Sequence, residues 1–452
     1  MQITQFVHEG LGNSSYLVQT EPGLAVAIDP DRTVRRYLQS AEAQGLQINT
    51  VLETHVHADF ITGALEIASA TGGTVYNSAG SDVRYNHHPL TGGDYITHGD
   101  TTIEVLATPG HTPEHLSYVL RTPGAEPLLF SGGSLIVGGA ARTDLLGPDL
   151  FEQLTRSQYH TLRDAFTALP DAALLYPTHG GGSFCSAGAG SQRASTLGEQ
   201  RAMNPVLSDM TEDEFLDWFP HGFPGVPKYY AHMRDMNQAG PRLRSAIPAP
   251  SPLSPSEFQR ASETALIIDT RAPTEYLASH ILGSLGIPFR DVFGVWTGWL
   301  VDLGTPLIFV AGNNLEDIID ECLLVGHETL AGFLEGGLAA WERTGLPTVS
   351  VQGTSVDDAR RLILEDVFLL DVREPDEFVG AHIEGATHIP LGDLADRLAE
   401  VPHGRPILAY CGAGQRSISA VSILERAGFG ALYNLRGGFT EWTAAAKPVA
   451  SG

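Results

Sequence analysis

The chain has 452 residues, of which 42% are hydrophobic and 18% charged, a composition that is ordinary for a globular protein of two or three domains. Its formal net charge of −26 argues against nucleic acid or an anionic membrane surface as a partner. No apolar run is long enough for a membrane span, and the N-terminus lacks the layout of a signal peptide. Three distant cysteines cannot build a disulfide framework, so we expect a cytoplasmic protein.

The first informative motif lies at residues 54–60, which read Thr-His-Val-His-Ala-Asp-Phe. Two imidazoles one residue apart, followed by a carboxylate, are typical of a transition-metal site. The full form of the pattern is H-x-H-x-D-H, and Phe60 stands at its last position. The motif makes His55, His57 and Asp59 candidate metal ligands.

Further motifs follow in the same part of the chain. His111 lies in Thr-Pro-Gly-His-Thr after a strand-like run, and His179 lies in Tyr-Pro-Thr-His-Gly. Between them, an apolar strand ends in Gly132-Gly133, and Arg-Thr-Asp follows at 142–144. With the segments 13–17 and 28–30, this order resembles the metallo-β-lactamase fold, an αββα sandwich with its metal at the loop edge. We assign this fold to a domain spanning residues 1–245. The resemblance makes His111 and His179 candidate metal ligands together with His55, His57 and Asp59.

Within that fold, Glu-Thr-His-Val-His-Ala-Asp at 53–59 and Arg-Thr-Asp-Leu at 142–145 resemble the persulfide dioxygenases. Those enzymes hold one Fe(II) with two histidines and an aspartate, and they oxidise a low-molecular-weight thiol persulfide with O₂. The resemblance implies that His55 and His111 are the two histidine ligands. It places the aspartate at a position that is Gly133 in this chain.

Three arrangements remain open for the site. His57 could complete a three-histidine face with His55 and His111, which suits one Fe(II) or Zn(II) per chain. Asp59 could instead supply the carboxylate, or the site could hold no metal. A dinuclear zinc thioester hydrolase is disfavoured, because both Phe60 and Gly133 replace ligands that such a centre needs.

The last 200 or so residues contain an internal duplication, which we divide into domains at 246–350 and 351–452. Asp-Thr-Arg at 269–271 and Asp-Val-Arg at 371–373 each follow an apolar run. From each aspartate, a glutamate, a histidine, a glycine and Ile-Pro recur in one register. Strands alternating with helical segments predict two small α/β domains with parallel sheets, and the Pro/Ser-rich stretch 245–255 reads as a linker before them.

The second repeat contains the candidate nucleophile. Cys411 follows a predicted strand and opens the glycine-rich loop Cys-Gly-Ala-Gly-Gln-Arg before a helical run. Backbone N–H groups at such a turn stabilise a thiolate or persulfide anion, and Arg416 adds a positive charge for an anionic sulfur donor.

These features resemble the rhodanese family, which passes sulfur through a persulfide on that cysteine. The resemblance assigns Arg373, Glu374, Glu377 and His382 to the scaffold. In the first repeat, Ala311 aligns with Cys411 and no arginine follows, so we interpret this repeat as inactive.

Two functions follow from these motifs. One is a persulfide dioxygenase-like enzyme with a rhodanese activity at Cys411, acting on a thiol persulfide, thiosulfate or sulfite. The alternative is a sulfurtransferase whose first domain is a metal-free scaffold. By analogy with the resembled family, the chain is expected to form a homodimer.

Overall fold

The computed structural model describes residues 2–187, 190, 192–223 and 225–450. The chain divides into two compact units. Unit 1 comprises Met1–Ile247 with Asp320–Gly326, and unit 2 comprises Pro248–Ile319 with His327–Gly452. Among the described residues, no helix is both long and apolar enough to cross a lipid bilayer.

Unit 1 is built from fourteen strands in its described residues, β1 to β14 in chain order: Ile3–His8, Asn13–Glu21, Leu24–Ile28, Gln47–Leu52, Thr74–Ser78, His88–Leu90, Tyr95–His98, Thr101–Ala107, Leu116–Arg121, Leu128–Gly132, Ala140–Ala141, Leu174–Pro177, Ser186–Ala187 and Ser195–Thr196. Its α-helices α1 to α6 are Arg35–Ala43, Ala64–Thr71, Pro148–Asp164, Leu197–Met203, Glu212–Trp218 and Tyr230–Ala239. Short 3-10 helices lie at Pro205–Leu207, Phe219–Gly222 and Arg244–Ala246.

Two six-stranded sheets form the centre of unit 1, in the orders β1-β2-β3-β4-β5-β6 and β14-β12-β10-β9-β8-β7. Their facing sides share one core that includes Tyr16, Val26, Ile103 and Phe130, all at most 1% exposed. Alternation along β8 produces this arrangement, since every second residue faces the opposite sheet. Separate cores join the outer faces to helices, so the predicted αββα sandwich is confirmed.

Unit 2 contains strands β15 to β26: Ser251–Leu253, Leu266–Asp269, Leu285–Gly286, Leu307–Val310, Leu330–Leu334, Gln352–Thr354, Phe368–Asp371, His382–Ile383, Thr387–His388, Ile407–Tyr410, Leu432–Leu435 and Val449–Ala450. The helices of this part of the chain, α7 to α15, are Pro255–Ala261, Pro273–Ala278, Phe293–Leu300, Leu315–Leu324, Gly337–Arg343, Val356–Leu364, Pro375–Gly380, Arg416–Arg426 and Gly438–Ala444. Two 3-10 helices lie at Leu391–Asp393 and Leu398–Glu400.

The duplication is visible in the sheets. The first repeat has the parallel order β15-β19-β18-β16-β17, and the second has β20-β25-β24-β21-β23, which is the same order of corresponding strands. Both copies keep the same buried ion pair, Asp269 with Arg271 and Asp371 with Arg373. The predicted α/β class of both repeats is therefore confirmed.

The linker prediction is wrong for its last residues. β15 pairs in parallel with β19, and the Ser254 hydroxyl accepts a hydrogen bond from the Glu257 N–H at the start of α7. The prolines are compatible with this structure because β15 is an edge strand and Pro255 occupies the first turn of its helix.

Candidate functional site

Three histidines from separate loops of unit 1 converge at the ends of central strands. His55 follows β4, His111 lies between β8 and β9, and His179 follows β12, each being 1% exposed. One ligand atom from each lies within 4.8 Å of the others. The Nε2 atoms of His55 and His179 are 3.3 Å apart.

The opposite ring nitrogens identify where two of the protons lie. His111 Nδ1 is 2.6 Å from the Arg142 carbonyl oxygen, which can only accept, so His111 donates from Nδ1. His55 Nδ1 is 2.8 Å from the Thr54 hydroxyl. That hydroxyl donates to Asp29 Oδ2 at 2.7 Å, so it accepts from His55 Nδ1.

Asn13 fixes the third ring. Its amide Nδ2 donates to Asp59 Oδ2 at 2.6 Å, which turns Oδ1 toward His179 Nδ1 at 3.0 Å. His179 therefore also donates from Nδ1. All three Nε2 atoms then present lone pairs, and those of His55 and His179 face each other with no proton between them.

The three rings are neutral. Burial, followed by the positive charges of neighbouring histidines, lowers the pKa of His55 well below its usual value. Burial likewise lowers the pKa of His111 and that of His179 to about 3. Neutral imidazoles with their second nitrogen held by an acceptor are the form that binds iron or zinc. The chemistry of this donor set therefore fits one such metal.

His57 has a different environment. Its Nε2 lies 3.1 Å from Glu53 Oε2 and 3.4 Å from Asp29 Oδ1. Burial would lower the pKa of His57, but these carboxylates raise it to about 10, so the ring is an imidazolium. Phe60 stacks on it with ring centroids 4.2 Å apart. Groups containing His57 with Asp29 and His55, or with Asp59 and His179, also lie within 4.8 Å.

The carboxylates beside His57 favour its protonated form, in which neither ring nitrogen offers a lone pair. His55, His111 and His179 form one converging group of neutral rings, whereas the groups that contain His57 each include a carboxylate. Which of these histidines bind a metal therefore stays a prediction.

Gly133 leaves no space for a carboxylate. A Cβ atom there would lie 2.8 Å from His111 Cδ2, 2.9 Å from Ala141 Cβ and 3.1 Å from His179 Cδ2. The Gly133 N–H donates a hydrogen bond to His115 Nε2 at 3.0 Å. The lone pair of this histidine nitrogen is therefore used by Gly133. The rings of His111 and His179 thus pack where an aspartate side chain would begin.

Asp59 lies behind His179 rather than among the converging Nε2 atoms. Its Oδ2 accepts a hydrogen bond from Asn13 and is 3.5 Å from His179 Nδ1, while its buried Oδ1 has no hydrogen-bond partner among the residues that the structure describes. Burial raises the pKa of the Asp59 carboxyl. This position orients a ligand ring, and Asn13 is the residue in this chain of contacts that the sequence analysis missed.

The candidate nucleophile lies where the sequence predicted it. Cys411 follows β24, and α14 begins at Arg416. The cysteine is 1% exposed, and the Ser417 hydroxyl donates to its Sγ at 3.6 Å. Within the loop, Gly414 has φ +79°. The first turn of α15 contacts the loop, since the Phe439 N–H donates to the Cys411 carbonyl oxygen at 2.7 Å.

Arg416 and its neighbours form an ion-pair cluster. The guanidinium donates to both oxygens of Glu377, at 2.7 and 2.8 Å, and lies 3.8 Å from Glu374. Burial raises the pKa of Glu374 to about 7, whereas burial of Glu377 is outweighed by Arg416, which lowers its pKa. The charge of Arg416 is thus largely balanced by Glu377.

In the first repeat, β18 ends at Val310 and is followed by Ala311, the position that Cys411 occupies after β24. A methyl side chain cannot form a thiolate. The scaffold contacts are nevertheless the same in both copies: His280 Nδ1 bonds to the Tyr276 carbonyl at 2.8 Å, and His382 Nδ1 bonds to the Phe378 carbonyl at 3.0 Å.

Comparisons with known proteins agree with this architecture. The profile of the metallo-beta-lactamase superfamily matches residues 8–179, and that of the rhodanese-like domain matches residues 254–344 and 355–445. Human mitochondrial persulfide dioxygenase ETHE1 is 31% identical over 194 residues, which cover 42% of this chain and 68% of the human protein. Hydroxyacylglutathione hydrolase from Polaromonas sp. is 35% identical over 171 residues, covering 37% of this chain and 62% of that protein.

Among solved structures, a metallo-beta-lactamase from Staphylococcus aureus subsp. aureus COL has a TM-score of 0.65 at 29% identity. The match covers 74% of this chain and 98% of the staphylococcal one, so it extends beyond the first unit. The chain therefore belongs to the ETHE1-like family of the metallo-β-lactamase superfamily and contains two rhodanese-like domains.

Proposed function

We propose that this protein is an enzyme of sulfur metabolism with two active parts. Cys411 accepts sulfane sulfur from thiosulfate or a persulfide, and the first domain oxidises a low-molecular-weight thiol persulfide with one iron bound by His55, His111 and His179. The resemblance to persulfide dioxygenase ETHE1 and the two rhodanese-like domains support this proposal.

The observation that supports the sulfur-transfer half most directly is the position of Cys411 in the glycine-rich loop between β24 and α14. The Cys411 thiolate attacks the outer sulfur of the donor, so that a new S–S bond forms and the donor's own S–S bond breaks. Its electron pair leaves with sulfite, or with a thiolate when the donor is a persulfide. Ser417 donates a hydrogen bond to Sγ and holds the sulfur in place.

The observation that supports the oxidative half is the set of three Nε2 atoms whose opposite nitrogens are held by Thr54, Arg142 and Asn13. A bound Fe(II) would supply the redox chemistry with O₂. Asn13 and Asp59 orient His179, and the burial of the three rings excludes water from around them.

Gly133 favours a second candidate, a sulfurtransferase whose first domain is a metal-free scaffold, because no carboxylate completes the face. Elemental analysis of protein purified without added metal separates the two. About one iron per chain, together with persulfide-dependent O₂ uptake, supports the enzyme with two active parts, because histidine-rich sites of this kind bind Fe(II). No metal and no O₂ uptake, with thiosulfate sulfurtransferase activity intact, supports the second.

The nucleophile has its own test. Cys411→Ser should abolish sulfur transfer from thiosulfate to cyanide while leaving persulfide-dependent O₂ uptake unchanged, because the two reactions use different residues. Ala311→Ser is a matched control in the first repeat and should leave both activities intact. Sulfur transfer that survives Cys411→Ser would show that another group is the nucleophile.

A further inference from the structure

Arg290, in the first repeat, has no acidic side chain paired with it in the described part of the chain. It lies four residues after β17 and is half-buried. Within the residues that the structure describes, its side chain has no hydrogen bond and no ion pair. A half-buried cation without a partner lowers the stability of the fold, which points to a role in binding an anion.

One side of the Arg290 segment is anchored on the second repeat through β17. The Ser419 hydroxyl donates to the Gly286 carbonyl at 2.7 Å, and the Gly286 N–H donates to Ser422 Oγ at 3.1 Å. A Cβ atom on Gly286 would lie 2.7 Å from Ile418 Cγ2. The backbone just before Arg290 therefore lies directly against the first turns of α14, the helix that the Cys411 loop opens.

The other side is anchored through α9, which begins three residues after Arg290. Trp299 of this helix packs so closely on Gly392 that a Cβ atom there would be 2.3 Å from the indole Nε1. Arg290 thus lies between two contacts with the second repeat. Consistent with that position, its charge interacts electrostatically with Cys411 and with Arg416.

The charges around Cys411 distinguish the two arginines. Arg416 is paired with both oxygens of Glu377 and lies near Glu374. Arg290 has Asp291 as its acidic neighbour, but the two form no ion pair within the described residues. Of these two guanidiniums, both of which interact electrostatically with Cys411, Arg290 is therefore the one without a hydrogen-bond acceptor among the described residues.

We propose that Arg290 of the inactive repeat binds the anionic end of the sulfur donor at Cys411, and that the preferred donor bears its negative charge next to the transferred sulfur, as thiosulfate does. This inference rests on the proposed sulfur transfer at Cys411. In that step the thiolate attacks the outer sulfur of thiosulfate, forms the Cys411 persulfide and releases sulfite with the electron pair of the broken S–S bond. The attack brings two anions together, so a cation on the donor's sulfonate oxygens lowers their repulsion.

The test compares Arg290→Gln and Arg290→Lys with the unchanged full-length protein, using thiosulfate in one arm and glutathione persulfide in the other, and cyanide as the acceptor. Loss of a hydrogen bond to a charged group should raise KM for thiosulfate by about ten- to a hundredfold in Arg290→Gln. Arg290→Lys should give an intermediate KM, because it keeps the charge but not the two-pronged geometry. Glutathione persulfide, whose carboxylates are remote from its sulfur, should be transferred at nearly the original rate.

Two controls keep the outcomes distinct. Cys411→Ser removes transfer from both donors, and Arg260→Gln, on the exposed face of α7, should change neither. No transfer by the unchanged protein would contradict the proposed function itself. Transfer with an unaltered KM for thiosulfate in Arg290→Gln, or equal losses with both donors, would overturn the assignment of Arg290 as the donor-binding residue.

A further measurement does not depend on how the variants fold. The KM of the unchanged protein for thiosulfate should rise with ionic strength, because salt screens a contact between opposite charges. A KM that stays constant between low and high salt would also contradict the inference.

Discussion

Replacing His57 and His179 one at a time separates a structural histidine from a metal ligand. The imidazolium of His57 lies within 3.4 Å of carboxylate oxygens of Asp29 and Glu53, and all three side chains are at most 2% exposed. His57→Gln keeps an amide donor but removes the positive charge, so two carboxylates remain buried without their counter-ion. Removing one partner of a buried ion pair costs about 3–5 kcal/mol in the free energy of unfolding.

His179→Ala should have the opposite profile. It removes one hydrogen bond to Asn13, worth about 1 kcal/mol of stability, together with ring packing. It also removes one of three converging Nε2 atoms. Since loss of a residue that only orients a ligand already lowers metal affinity about 10–100-fold, we expect a loss of at least about 100-fold.

The assay has two readouts on the intact protein. Anaerobic titration with Fe(II), and with Zn(II), measures the affinity, and hydrogen–deuterium exchange of peptides from residues 8–179 measures the stability of the first domain alone. We expect His57→Gln to exchange faster yet bind metal as the unchanged protein does, and His179→Ala to lose the metal with a smaller change in exchange. If His57→Gln loses the metal and keeps its stability, the assignment of the ligands is wrong.

Two further predictions concern single positions. Gly133→Asp, which restores the carboxylate of the family pattern, should destabilise the site by about 1–3 kcal/mol, because its Cβ overlaps His111 and Ala141. Gly133→Ala is the control, because it introduces the same Cβ without the carboxylate. If Gly133→Asp alone binds metal more tightly, the loop can move to make room for the carboxylate and the expected clash is wrong. The folded-state pKa of Glu374, about 7, lies above its usual value of 4.5, so its contribution to stability is complete below pH 4.5 and is lost as the pH rises through 7. The melting temperature should therefore fall between pH 5 and 8, and Glu374→Gln should make this fall smaller. If the fall is the same in the variant, other groups cause it.

Local sequence signals were enough for the architecture and for the position of Cys411 between a strand and a helix. The duplication could be predicted because buried strands and the Asp-x-Arg pair recur in one register, and the two sheets have the same strand order. Cys411 could be placed because a strand, a glycine-rich loop and a helix are contiguous in the chain. Each of these signals depends on residues close together in sequence.

The protonation of the histidines could not be predicted in the same way. Glu53, four residues before His57, is visible in the motif, but the second carboxylate that stabilises the charged form of His57 comes from Asp29, which lies in a different strand-to-helix segment. His179 is oriented by Asn13, 166 residues away in the chain. Sequence spacing does not encode the contacts of Asp29 and Asn13, so the choice among the candidate ligands stays a prediction.

The differences between the two repeats suggest why an inactive copy persists. The Asp-x-Arg ion pair and the histidine-to-carbonyl bond are the same in both repeats, whereas two of the differing positions concern sulfur transfer: Ala311 stands for Cys411, and Arg290 stands where the second repeat has Gly392. Gly392 has no room for a side chain because Trp299 of the first repeat packs on it. This packing anchors the helix that begins three residues after Arg290, whose charge interacts with Cys411. Loss of the first cysteine therefore does not make the first repeat dispensable, since its packing surface and its arginine complete the site of the other copy. Changes that loosen this surface should impair transfer from thiosulfate even though every residue of the Cys411 loop is intact.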